Sequence, residues 1–124
     1  ASLIFEELNL QNSVSDCYLG IGGVFYKLGE YKDALSSYQK LLQNAEQVNN
    51  KVNQAVAYRA MGICSRELNE DVVHVNLFFE KSLEIRQELH DEVGIANCYN
   101  GIANTYYDLT NDYEKAKEYF LKSV

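Results

Sequence analysis

The sequence predicts an all-α protein in which antiparallel helix hairpins repeat along the chain and stack side by side. Three segments that begin at Tyr18, Tyr58 and Tyr99 can be laid over one another, in steps of 40 and 41 residues. Within each segment the apolar residues recur at the three- and four-residue spacing of a helix face. Proline is absent and only 7 of the 124 residues are glycine, so few residues interrupt the helices.

The apolar spacing predicts six helices, two in each repeat. Their predicted bounds are 13–28, 31–47, 52–68, 72–89, 92–109 and 113–124. The whole chain, 1–124, is predicted to form one array, made of the tail of a preceding repeat (1–10), two repeats (12–50 and 51–90) and a truncated third (91–124). The tail is inferred from Leu8, which stands as far before Ile21 as Leu89 stands before Ile102. We therefore expect a piece of a longer protein, cut within a unit at both ends.

The turns between helices carry residues that tolerate left-handed backbone. Gly29 is predicted to end the first helix as a left-handed C-cap. The corresponding turns of the second and third repeats are one residue longer and contain Asn69 and Asn111. Asn111, followed by Glu114, predicts a capping pair for the last helix.

Small residues and rings recur at matching places in the repeats. Gly22, Gly62 and Ala103 coincide and are predicted to lie where the two helices of one unit approach closely. Aromatic residues are predicted to fill the gap to the following unit, at Tyr38, Phe79 and Phe120.

The composition disfavours two classes of partner. A net charge of −7 and a pI near 4.7 argue against nucleic acid, which rewards clustered lysine and arginine, and against an anionic membrane surface. No run approaches the roughly 18 apolar residues that span a bilayer. We therefore expect a protein or peptide partner, with no nucleic acid and no membrane insertion.

The three cysteines, Cys17, Cys64 and Cys98, are predicted to be small buried hydrophobic residues. Their number is odd and no C-x-x-C pair occurs, which argues against disulfides and a zinc site. Reduced thiols are typical of the cytoplasm, which is the expected location. His74 and His90 are isolated, so no metal and no cofactor are expected.

The residues at these packing positions resemble the tetratricopeptide repeat (TPR) family. The resemblance covers essentially the whole chain and is strongest in the first repeat, at Tyr18, Ile21, Gly22, Phe25, Tyr26, Leu28, Gly29, Tyr31, Ala34, Tyr38, Leu41 and Leu42. The period of 40–41 residues is longer than the family's common period of about 34, as in a long-repeat subclass. Similar long-repeat arrays occur in kinesin light chains, G-protein-signalling modulators, and bacterial sensor kinases and cyclases.

The resemblance implies a superhelical solenoid whose first helices line a concave groove. The predicted peptide-binding residues of that groove are Tyr26, Arg59, Ile63, Arg66, Asn97, Asn100, Asn104 and Tyr107. The three asparagines share one helix face, and their amides match the N–H and C=O groups of an extended peptide. The arginines can bind a carboxylate or phosphate, and the tyrosines offer stacking area. The alternative is that these are solvated polar residues on an exposed helix face.

The sequence therefore predicts a protein–protein interaction module and not an enzyme. The glycine-rich stretch 20–23 lies within a helix pattern, whereas a phosphate-binding loop follows a strand. Two alternatives stay open: a sensor or regulatory segment of a signalling enzyme, and an assembly scaffold in which exposed array ends pair chains into homo-oligomers. The net negative charge of the chain favours a basic partner, whereas the predicted groove arginines favour an acidic one.

Overall fold

The computed structural model describes residues 2–124, with the side chains of all but Ser2, Ile4, Phe5 and Leu8. The helices are α1 (Ser2–Lys27), α2 (Tyr31–Gln47), α3 (Lys51–Glu67), α4 (Val72–Glu88), α5 (Glu92–Thr105) and α6 (Tyr113–Lys122), with a short π-helix (Tyr106–Thr110) directly after α5. Each helix packs against the next one along the chain, and α3 also contacts α1 and α5. The first helices α1, α3 and α5 therefore lie side by side, and the predicted all-α solenoid of stacked hairpins is confirmed.

The first helix differs from its prediction. The expected break between residues 1–10 and a helix at 13–28 is absent, because α1 runs as one continuous helix of 26 residues. Two hydrogen bonds hold its middle on α2: the Asn44 amide donates to Gln11 Oε1 at 2.7 Å, and Ser15 Oγ donates to Asn44 Oδ1 at 2.6 Å. Residues 2–10 thus belong to α1 and form no separate helix, and the side chain of Leu8 lies outside the described residues. The division into repeats stays a prediction.

Four of the turns share one geometry. The residue after each C-cap has a positive φ: 77° at Gly29, 53° at Asn49, 56° at Asn69 and 54° at His90. The next N–H then bonds back to a carbonyl five residues earlier, as from Glu30 to Phe25 at 2.9 Å. This is the Schellman arrangement, which satisfies carbonyls at a helix end. The left-handed C-cap predicted at Gly29 and the tolerant asparagine at Asn69 are confirmed.

The turn before α6 is different. The α-helical part of α5 ends at Thr105, and the π-helix follows over residues that had been predicted to be α-helical. Asn111 has the left-handed φ of 54°, but it does not cap α6. The Asp112 carboxylate accepts the Lys115 N–H at 3.1 Å, so Asp112 is the cap and the predicted pair of Asn111 and Glu114 is wrong.

Two aromatic rings connect consecutive hairpins, as predicted. Tyr38 of α2 belongs to a buried cluster with Met61 and Cys64 of α3, and Phe79 of α4 is fully buried beside Ile102 of α5. The corresponding ring of the last repeat, Phe120, is only half-buried.

Glycine makes room for these rings. A Cβ added at Gly22 would lie 2.5 Å from Tyr38 Cε1, and one at Gly62 would lie 3.0 Å from the Phe79 ring. These approaches confirm the predicted close crossing of the two helices of a unit. Phe79 also meets Gly101 of α5, where a Cβ would overlap the ring. Phe79 therefore sits between two glycines, one on each neighbouring first helix.

The cysteines do not all follow their prediction. Cys64 and Cys98 are buried free thiols, whereas Cys17 is a free thiol on the exposed face of α1. Cys17 had been expected in the core, and it is exposed because no described helix covers that face. Burial, helped by the negative charge of Glu67, raises the pKa of Cys64 to about 11. Burial likewise raises the pKa of Cys98.

Candidate functional site

A cavity of about 310 Å³ opens on the face where the three first helices lie side by side. We call it the groove cavity. It is lined by Leu19 and Tyr26 of α1, Tyr38 of α2, Val56, Arg59, Ala60 and Ile63 of α3, Arg86 of α4, and Gly94 and Asn97 of α5. Of the eight residues predicted from the sequence, four come together here: Tyr26, Arg59, Ile63 and Asn97.

One side of the groove cavity is apolar. Leu19 of α1 lines it together with Val56 and Ile63 of α3. Tyr26 also lines the cavity, and its ring meets Tyr31 edge-on with centroids 5.4 Å apart. Burial, with a further contribution from the negative charge of Glu67, raises the pKa of Tyr26, so its hydroxyl is neutral at physiological pH. This side suits an apolar side chain.

The other side carries positive charge from Arg59 and Arg86. Arg86 is held in place, since its Nη1 donates to Asp91 Oδ2 at 2.8 Å. Asp91 Oδ1 accepts the Gly94 N–H at 3.0 Å, which caps α5. Arg59 Nε is buried and has no hydrogen-bond partner among the described residues. Of the two arginines that line the cavity, Arg59 is thus the one whose Nε has no acceptor among the described residues.

Arg66 does not line the groove cavity. It reaches from α3 to α5, where its Nη1 donates to the carbonyl of Gly101 at 3.3 Å. Its Nε lies 3.9 Å from Asp108 Oδ2, an ion pair beyond hydrogen-bonding distance. The predicted pair of equivalent groove arginines therefore separates into Arg66, which joins two helices, and Arg59, which faces the cavity.

The three predicted asparagines also divide. Asn97 lines the groove cavity, whereas Asn100 and Asn104 continue along α5 beyond it. The Asn104 amide nitrogen donates to Asn100 Oδ1 at 2.8 Å, so part of the predicted amide ladder is satisfied internally. This bond uses neither the Asn100 amide nitrogen nor the Asn104 amide oxygen, which keep their donor and acceptor capacity.

Tyr107 lies apart from the other predicted residues. It lines a second cavity of about 440 Å³ at the end of the array, with Tyr113, Ala116, Lys117, Phe120, Leu121 and Val124. Its ring centroid is 5.2 Å from that of Tyr113. Tyr107 therefore contributes to this second cavity and does not line the groove cavity.

Sequence reasoning did not assign Arg86 or Gly94 to the site. Gly94 has to be small, since a Cβ there would lie 2.5 Å from Asp91 Oδ2 and 2.6 Å from Arg86 Cδ. The available signal was Asp91 three residues before Gly94, a capping arrangement at a helix start. The second-helix position of Arg86 gave no such signal.

The described residues contain no group of three or more histidine, cysteine, aspartate or glutamate side chains placed to hold a metal ion. Nor does any described helix combine the length and apolar character needed to cross a bilayer.

Comparison with known proteins identifies repeats of one type. Two family models, each described as a tetratricopeptide repeat, match residues 16–47 and 78–124. The crystal structure of the TPR domain of Arabidopsis FLU superposes with a TM-score of 0.82 at 20% sequence identity, covering 91% of this chain and 93% of that one. No curated protein sequence matches this chain. The structural likeness concerns the fold, and the family models supply the sequence evidence.

Proposed function

Because the chain belongs to the tetratricopeptide repeat family, we propose that it is a protein–protein interaction module that binds a partner peptide in the concave groove of α1, α3 and α5. The observation that carries the proposal is the groove cavity, which opens on the face shared by these three helices. Tandem helix hairpins present such a face as a rigid surface, so a peptide can bind without ordering the protein first.

The dimensions favour a peptide side chain. At about 310 Å³ the cavity lies at the lower end of the roughly 300–1,000 Å³ typical of ligand pockets. An apolar side chain fits between Leu19 and Ile63, while the amide of Asn97 at the rim can pair with the peptide main chain. Further along α5, the amide nitrogen of Asn100 and the amide oxygen of Asn104 offer further donors and acceptors.

Selection from a random display library of 12-residue peptides tests this function. The library is panned on the intact chain, and enriched peptides are synthesised and their affinities measured by fluorescence polarisation. Leu19→Trp fills the cavity without adding charge, at a position exposed enough to leave the fold intact. We expect it to weaken binding of the enriched peptides at least tenfold.

Leu77→Trp is the matched control, because Leu77 is an exposed leucine of α4 that does not line the groove cavity. It is expected to leave affinity unchanged. Enriched peptides that bind Leu19→Trp as well as the wild-type chain would refute the groove as the binding surface. Melting curves of both variants show whether each is folded.

Assembly of chains is a second candidate, favoured by an apolar stripe on α1. Ile21, Val24 and Leu28 are all exposed at spacings of three and four residues, and exposed Leu10 lies 11 residues, about three helical turns, before Ile21, as on a helix that packs against another helix. At the opposite end α6 also exposes apolar residues, Tyr113 and Leu121. We propose that α6 of a second copy packs on this stripe, repeating the packing of α2 on α3 and of α4 on α5.

Sedimentation velocity over a range of concentrations tests the assembly candidate. Wild-type chains are expected to associate as concentration rises, and Ile21→Glu is expected to abolish association by placing a charge in the stripe. A strictly monomeric wild-type chain removes this candidate and leaves the peptide groove untouched.

A further inference from the structure

The arginines near the groove are distinguished by what the chain already gives them. Arg86 is paired with Asp91. Arg66 Nε, like Arg59 Nε, is buried without a hydrogen-bond partner, but Arg66 Nη1 donates to the carbonyl of Gly101 and its charge lies near that of Asp108. Both oxygens of Asp91 are occupied, one by Arg86 and the other by the capping N–H of Gly94. None of the ion pairs among the described residues includes Arg59.

The guanidinium of Arg59 therefore has no acidic partner among the described residues. Its Nε is buried without a hydrogen-bond partner, which is costly for a charged group in a partly desolvated site. A carboxylate in the groove cavity would accept from the two terminal nitrogens of the planar guanidinium, which lie beyond the buried Nε, in the two-pronged geometry that arginine favours.

The apolar side of the cavity constrains what stands beside that carboxylate. Val56, Arg59 and Ile63 follow one another at spacings of three and four residues, so they share one face of α3. A ligand that reaches Arg59 with its acid thus places the adjacent part of itself between Val56, Ile63 and Leu19.

Resting on the peptide-groove function proposed above, we propose that Arg59 binds the carboxylate of an aspartate or glutamate in the partner peptide, while an apolar residue beside that acid enters the groove cavity. One unpaired cation matches one carboxylate. A phosphorylated side chain brings close to two negative charges into a protein of net charge −7 and is disfavoured. The groove thus selects an acidic residue in the partner, although the chain as a whole carries a net negative charge.

A double-mutant cycle on an enriched library peptide tests the assignment. The probes are the peptide, its analogue with the acid replaced by the matching amide, and its analogue with phosphoserine in place of the acid. The proteins are wild type, Arg59→Gln and, as the matched control, Arg66→Gln. We expect the enriched peptides to share an acid beside an apolar residue, and the amide analogue to bind wild type about tenfold more weakly.

With Arg59→Gln the acid and amide peptides are expected to bind equally, whereas Arg66→Gln retains the tenfold preference. Arg59→Gln is expected to melt no lower than wild type, because it removes a nitrogen that has no partner. Peptides that need the cavity but carry no acid, or an acid preference that survives Arg59→Gln, would overturn the assignment while the groove function stands. A phosphoserine analogue that binds more tightly than the acid overturns the choice of carboxylate. Finding no peptide that depends on Leu19 overturns both proposals.

Discussion

Ile21, Met61 and Ile102 occupy the same place in three successive hairpins, but only two of them are buried. Ile21 is 46% exposed, against 4% for Met61 and 3% for Ile102. Helix α2 packs over Met61 and α4 over Ile102, whereas among the described residues no helix stands before α1. In a stacked array, an apolar residue at this position is therefore buried only where the preceding hairpin packs over it.

The reactivity of the Cys17 and Cys98 thiols allows the same comparison between the first and the last first helix. They too are equivalent by the repeat, and one is exposed while the other is buried against Ser82. We expect one thiol per native chain to react rapidly with a colorimetric thiol reagent at pH 8 and the other two only after denaturation. With a pKa of about 11, only on the order of 1 in 1,000 Cys64 side chains is a thiolate at that pH.

The control for this thiol assay is Cys17→Ser, which should remove the rapid native-state reaction. Rapid reaction of two or three thiols in the native protein would contradict the difference between the first hairpin and the later ones.

Phe79 and Phe120 are equivalent rings of two repeats, but Phe79 is fully buried and Phe120 is not. Phe79 is fully buried between Gly62 and Gly101, so Phe79→Ala is expected to lower the free energy of unfolding by about 3–5 kcal/mol. Phe120 is half-buried at the other end of the array, and Phe120→Ala should cost about 1–2 kcal/mol. Urea denaturation followed by circular dichroism measures both losses, and equal losses would show that α6 is packed as tightly as the middle of the array.

Ile102 and Ile21 offer the same test with identical chemistry. Ile102→Ala removes three methyl or methylene groups from a buried cluster with Val75 and Phe79, and is expected to cost about 2–4 kcal/mol. Ile21→Ala changes a side chain that is nearly half exposed, and should cost less than about 1 kcal/mol. If Ile21→Ala costs as much as Ile102→Ala at high protein concentration, another chain covers the stripe on α1 in solution. Diluting the protein would then reduce the cost of Ile21→Ala.

Much of the fold was predictable because it depends on local rules. Helical spacing and the repeat period predicted the stacked hairpins, and Gly29 marked a turn because its φ of 77° is costly for other residues. The continuity of α1 was missed, since it depends on the distant partner Asn44. The candidate site was predicted in outline only. Neither the contact of Tyr107 with Tyr113 nor the engagement of Arg66 with Gly101 can be recognised without knowing which side chains meet.

Gly20 and Gly22 compare the two faces of α1 itself. A side chain at Gly22 would meet the Tyr38 ring, so Gly22→Leu is expected to cost about 1–3 kcal/mol through overpacking. A Cβ at Gly20 meets nothing within 4 Å. Gly20→Leu should therefore stabilise the chain by roughly 0.5–1 kcal/mol, because leucine forms helices better than glycine. Denaturation midpoints that move in opposite directions would confirm that one face of α1 is packed and the other open. A loss at Gly20 comparable to that at Gly22 would instead mean that something outside the described residues already lies against this face.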